Sequence, residues 1–140
     1  MDYPNLRPDM PPRDVREAVT GTVVAFFDGR AGRVDDIDPE FTRVIGELRS
    51  FTLQGGKGVR PAFAWAGWLG AGGDKGLHSD AEDPAAVFRA VSALEFIQAC
   101  ALIHDDIIDV SATRRGFPTV HKVFEARHRD SGWRGDAAHS

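Results

Sequence analysis

From Pro84 to Asp109 the chain reads as one long apolar segment, with Phe88, Val91, Leu94, Ile97 and Ala101 recurring at helical spacing and apolar residues on more than one face. A helix of that kind cannot lie at a surface. It predicts a central helix in an all-α bundle, with other helices packed around it. The segment opens on Asp83 and Pro84, an N-cap and first-turn pair. It ends abruptly in "HDDIIDVSATRRGFPT", where three aspartates are followed closely by two adjacent arginines.

The remaining periodicity is also helical. Pro4, Pro8, Pro11 and Pro12 make residues 1–12 read as an irregular arm, and residues 13–140 read as one domain. Val15, Ala18, Val19, Val23 and Phe26 predict a helix from Asp14 to Gly29, and "DGRAGRVDDI" reads as a loop. Asp38 and Pro39 open a second helix, whose stripe of Phe41, Val44, Ile45, Leu48 and Phe51 should end by Gly55. A third is expected from Pro61 through "AFAWAGWLG", and "AGGDKGLHSDAED" has the composition of an exposed connection. A shorter helix from about Thr119 to His128 leads into the loop-like "RDSGWRGDAAHS". No segment reads convincingly as a strand.

Composition narrows the function classes. With 140 residues, 42% of them hydrophobic, and a net charge of −4, the chain suits one soluble domain with a modest core. Its basic residues are scattered, which argues against a nucleic-acid partner. Apolar stretches are broken by Gly, Arg, Glu or Asp before the roughly 18 residues of a membrane span, and no signal-peptide core opens the chain. One cysteine, Cys100, excludes an intrachain disulfide framework. A cytoplasmic protein is expected.

On a helix Asp105 and Asp109 project from neighbouring turns of one face, with Asp106 at its edge. Like charges at that spacing repel, and a helix C-terminus adds a further penalty for negative charge. A divalent, oxygen-loving cation would offset both. Mg2+ in particular prefers one or two carboxylates plus phosphate oxygens and water. The plainer alternative is a solvated acidic helix end. His104 and Asp105 form an HD pair like that of metal-dependent phosphohydrolases, but His78, His121 and His128 have no spacing that completes such a site.

Arg114 and Arg115 lie in a segment that Gly116 and Pro118 keep out of helix, and guanidiniums beside a metal suit a polyanion. In "QGGKGVRP", Lys57 and Arg60 flank a glycine-rich turn ahead of a helix N-terminus, where anions are favoured. It is not a Walker loop, because no Ser or Thr follows Lys57. An ordinary interhelical turn is the alternative. Two basic clusters and one acidic cluster together point to two phosphate groups and a bridging metal.

"GGKGVRP" followed by "LIHDDIIDVSATRRGFPTVH" resembles the N-terminal part of trans-isoprenyl diphosphate synthases of the polyprenyl synthetase family, from about Phe41 to the end. The resemblance implies the N-terminal helices of an isoprenoid-synthase bundle and a Mg2+-dependent condensation of isopentenyl diphosphate with an allylic diphosphate. It assigns Asp105 and Asp109 to Mg2+ on the allylic diphosphate, with Asp106 supporting the metal cluster, and Arg114 to that same diphosphate. It assigns Lys57, Arg60, Gln98 and Arg115 to isopentenyl diphosphate. Cys100 and Ala101, both small and just before the aspartates, would set product length, favouring geranylgeranyl diphosphate or longer. The family's second Asp-rich motif does not appear in the sequence, so the expectation is a truncated bundle, inactive alone, and a homodimer when full length. The alternative is a non-catalytic diphosphate-binding or regulatory subunit that pairs with a longer synthase chain.

Overall fold

The computed structural model describes residues 10–54, 57–73 and 83–139. Most of the expected arm, Gly55 and Gly56 of the glycine-rich turn, and residues 74–82 of the exposed connection, His78 included, lie outside them. Helix α1 (Pro12–Asp28) starts ahead of Asp14, with Pro11 at the N-cap and Pro12 at a first-turn position where proline loses no hydrogen bond. The expected loop after it carries a short helix, α2 (Ala31–Asp35), which buries no residue and so left no apolar stripe to read. Helix α3 (Pro39–Leu53) opens as the sequence implies, with the Glu40 N–H donating to Asp38 Oδ1 at 2.6 Å. Helix α4 (Val59–Gly70) begins before Pro61, placing that proline in the first turn.

The long apolar segment is two helices, α5 (Pro84–Ser92) and α6 (Leu94–Ile108). Ala93 separates them, although its backbone stays right-handed at φ −62° and ψ −18°. The amides of Phe96 and Ile97 both donate to the Ala93 carbonyl, at 3.0 and 3.3 Å, a local tightening of the ladder and not a turn. Taken together, Pro84–Ile108 is 25 residues long, and its mean hydropathy reaches 1.7 over 18 residues. That corrects the expectation that every apolar stretch is too short to cross a membrane, since so few charges interrupt this one. A core helix of a bundle has the same composition.

The chain divides into two compact units, Met1–Ile97 and Gln98–Ser140. In the first, Val15, Ala18 and Val19 of α1, Trp65 of α4 and Phe88 of α5 form the buried core. Phe88 is fully buried, and Trp65 meets it edge-on with ring centroids 5.3 Å apart. A second aromatic group joins Phe26 and Phe27 of α1 to Phe96, at 4.8 to 5.7 Å. Beside it lies an open, mostly apolar cavity of about 480 Å³, whose lining includes Val23, Phe26, Ala93 and Phe96 together with Arg30 and Arg89.

The second unit contains most of α6, a hairpin of β1 (Thr113–Arg114) and β2 (Phe117–Pro118), helix α7 (Val120–Asp130) and a 3-10 turn at Ala137–His139. The hairpin departs from the strand-free reading. Its strands are two residues each, too short to show an alternating pattern.

Candidate functional site

Helix α6 ends in a Schellman motif. The Ser111 N–H donates to the Asp106 carbonyl at 2.9 Å and the Val110 N–H to the Ile107 carbonyl at 3.3 Å. That closure requires a left-handed residue at Val110, and its φ is 52°. Glycine normally fills this position. A β-branched residue there is strained, so the backbone directly after Asp109 stores strain.

The chain then turns back through the hairpin, pairing Thr113 with Pro118 and Arg114 with Phe117. Arg115 and Gly116 form its two-residue loop, both at positive φ, 53° and 85°, as a type I′ turn requires. The return is fixed at Thr119. This residue is fully buried, its hydroxyl donates to the Ser111 carbonyl at 2.7 Å, and its N–H donates to the Ala112 carbonyl at 3.2 Å.

These constraints bring Arg114 to Asp106. Arg114 Nε lies 3.0 Å from Oδ1 and 2.9 Å from Oδ2, and Nη2 lies 2.8 Å from Oδ1. Asp106 is 1% exposed, so this is a buried carboxylate held by a side-on fork. The hydrogen bond that Arg114 donates to Asp106 is the main reason that the Arg114 pKa is raised. The charges of Asp106, Asp105 and Asp109 add to that, against burial. Asp105 and Asp109 are exposed, and their side chains make no hydrogen bond or ion pair among the described residues.

The resemblance puts Asp105 and Asp109 on Mg2+, with Asp106 supporting the metal cluster. The structure divides them: two face outward, and Asp106 turns inward onto the arginine. One helical residue is a rotation of about 100°, enough to separate neighbours at a helix end. Arg114, expected on a diphosphate, is anchored by Asp106 along one edge. Among the described residues no group of three or more His, Cys, Asp or Glu side chains could hold a metal. Two open carboxylates suit Mg2+ that completes its shell with water and phosphate oxygens, and do not suit a closed protein cage.

Arg115, Cys100 and Ala101 are exposed, and Gln98 is half-buried. In the other unit, Lys57 and Arg60 are exposed at the start of α4 without an ion pair among the described residues. Between them Gly58 is buried at φ 62°, and a Cβ there would meet Arg16 Cγ at 3.2 Å. This glycine serves both left-handed backbone and close approach to α1.

Sequence reasoning missed two supports of the site and one ion-pair cluster on α7. Val110 gives no signal, because a valine at a left-handed cap breaks the usual rule. Thr119 was legible only as the residue before a helix. On α7, Glu125 is nearly buried; Lys122 Nζ bonds its Oε2 at 2.7 Å and Arg129 bonds its Oε1. The spacing of those three residues in "KVFEAR" and the arginine beyond was the available clue.

Comparison with known proteins identifies the family and the helical fold. The family model described as polyprenyl synthetase matches residues 43–129. The short chain isoprenyl diphosphate synthase of Methanothermobacter thermautotrophicus is 39% identical over 91 residues, covering 65% of this chain and 25% of that protein. Geranylgeranyl pyrophosphate synthase 12, chloroplastic, of Arabidopsis thaliana is 40% identical over 91 residues, covering 63% of this chain and 23% of that one. Among solved structures, the geranylgeranyl pyrophosphate synthase of Corynebacterium glutamicum, complexed with isoprenyl diphosphate and magnesium, is 46% identical with a TM-score of 0.80. The match covers 93% of this chain and 36% of that one. The chain thus spans about a quarter of the length of these curated relatives. With the family model matched across more than half of its residues, the chain belongs to the polyprenyl synthetase family.

Proposed function

We propose that this chain carries the first diphosphate-binding portion of a prenyltransferase that condenses isopentenyl diphosphate with an allylic diphosphate. The observation that carries the reading is the pair of open carboxylates, Asp105 and Asp109, in the field of the anchored Arg114. The solved relative complexed with isoprenyl diphosphate and magnesium supports it. In such a condensation the allylic carbon–oxygen bond breaks, diphosphate leaves with the electron pair, a carbon–carbon bond forms, and the isopentenyl unit loses a proton. Bound Mg2+ would neutralise charge on the departing diphosphate. Asp105 and Asp109 would hold that ion. Arg114 would offer its outer guanidinium edge to the same phosphate oxygens, and Arg115, Lys57, Arg60 and Gln98 would take the isopentenyl diphosphate. The experiment is calorimetric titration of the chain with geranyl S-thiolodiphosphate in Mg2+, expected to show binding that EDTA removes; heat of binding that persists in EDTA would contradict it.

Product length belongs to the same proposal. Cys100 and Ala101 are small and exposed, one turn or so before Asp105, which favours geranylgeranyl diphosphate or longer. In an assembly that turns over, Cys100→Phe should shorten the main product by at least one isoprene unit, read by chromatography of the hydrolysed products; an unchanged length contradicts the assignment. A homodimer in the cytoplasm completes the proposal. The alternative reading is a non-catalytic, diphosphate-binding or regulatory subunit that pairs with a longer synthase chain. Condensation by the purified chain alone would exclude it.

A further inference from the structure

We propose that the cavity between α1 and the α5–α6 segment binds a small amphiphilic anion, a single apolar tail ending in a carboxylate or a phosphate. At about 480 Å³ the cavity falls within the roughly 300–1,000 Å³ of small-molecule sites. Val23 and Phe26 of α1 face Ala93 and Phe96 across it, and the rings of Phe26 and Phe96 approach to a centroid distance of 4.8 Å. Two hydroxyls in the lining do not make it polar, because each donates back into its own helix. Thr22 bonds the Ala18 carbonyl at 2.9 Å, and Ser92 bonds the Phe88 carbonyl at 2.7 Å. A cavity with such walls holds water poorly and hydrocarbon well.

The charged groups of the lining are all of one sign. Arg30 and Arg89 contribute to it, and no carboxylate does among the described residues. The Arg30 guanidinium lies over the Phe26 ring, 3.7 Å from its centroid, and Nη1 donates to the Phe26 carbonyl at 3.1 Å. Those contacts fix its direction and leave its charge in place, since Arg30 has no ion pair among the described residues. Arg89 pairs with Asp83 at 3.9 Å through exposed side chains, an arrangement that yields readily to a second anion. A guanidinium grips carboxylate or phosphate oxygens with paired N–H groups, and an apolar wall beside it strengthens that attraction over its value in open water. A tail in the cavity and an anionic head at Arg30 satisfy the apolar walls and the uncompensated charge with one molecule. The site uses none of Asp105, Asp109, Lys57 or Arg60, so it is independent of the diphosphate reading above.

The test uses decanoate and geranyl monophosphate, both in EDTA, with decanol as the uncharged comparison. Calorimetry and amide NMR of the 140-residue chain provide the readouts. Both anions should bind and move the amide signals of Val23, Phe26, Ala93 and Phe96, and the tighter of the two identifies the headgroup. Decanol should bind at least about tenfold more weakly. Arg30→Gln should weaken both anions by about tenfold and leave decanol unchanged, a split that lost packing would not produce. Ala93→Trp, at an exposed position, should fill the cavity and remove binding of all three. Equal affinity for decanol and decanoate overturns the proposal, as does an Arg30→Gln chain that binds decanoate like the native one. Signals that move at Ile107 and Ile108 instead are equally contrary. If Ala93→Trp does not fold, Arg30→Gln changes only an exposed side chain and still decides the matter. Asp105→Ala should bind decanoate normally; a loss there assigns the anion to the Asp-rich end and overturns this inference while leaving the diphosphate reading intact.

Discussion

Glu125 shows how a single nearly buried carboxylate makes a helix pH-sensitive. Its pKa is lowered from the ordinary 4.5, chiefly by the hydrogen bond from Lys122, with the charges of Arg129 and Lys122 adding to it against burial. A depressed carboxylate contributes stability that is fully present above its unfolded value and is lost as pH falls through its folded value. The stability difference between the native chain and Glu125→Gln should therefore be constant above about pH 5.5 and shrink as the solution is acidified below 4.5. Urea titrations at several pH values check it, and a difference that grows on acidification contradicts it. At this scale the sequence was only partly readable. The aspartates and arginines stood out as a cluster, but which aspartate met which arginine depended on helix phase and on a partner eight residues away across a turn. Neither is written in composition or spacing.

Helix starts were legible because they are local. Asp38 and Asp83 each cap a helix within two residues, and a proline follows each. Helix ends were less so. The break at Ala93 follows no glycine or proline, and α2 has no buried face to impose a period. The end of α6 contradicts a local rule outright by placing Val110 at φ 52°. Val110 is 69% exposed, so its side chain contributes little packing that could compensate. A left-handed L-residue costs about 1–2 kcal/mol, and glycine's greater freedom in the unfolded chain takes back part of that gain. Val110→Gly should stabilise the chain by about 0.5–1 kcal/mol, seen as a melting temperature raised by a few degrees. A lowered melting temperature would mean that the valine side chain itself holds the turn. Strain retained beside Asp109 fits a site where geometry outranks stability.

Over the whole molecule the all-α class was readable from periodicity alone, whereas the extent of burial was not. A segment apolar on several faces implies neighbours on several sides, yet only 17% of its most apolar window is buried, and Ile97, Ile107 and Ile108 are 64, 52 and 73% exposed. Periodicity reports which faces need cover and says nothing of what supplies it. The glycine-rich turn and the Asp-rich end stand out in the sequence because charge and glycine are concentrated there beyond what packing needs. On the function proposed above, Asp105 and Asp109 hold Mg2+ for a prenyl diphosphate. The most direct test is calorimetric titration of the native chain and Asp105→Ala with geranyl S-thiolodiphosphate in Mg2+, with circular dichroism confirming equal helicity. The account predicts binding by the native chain that EDTA abolishes, and a loss of at least about tenfold in Asp105→Ala, roughly 1.4 kcal/mol. Binding of equal strength in both proteins, or binding that is indifferent to EDTA, would contradict it.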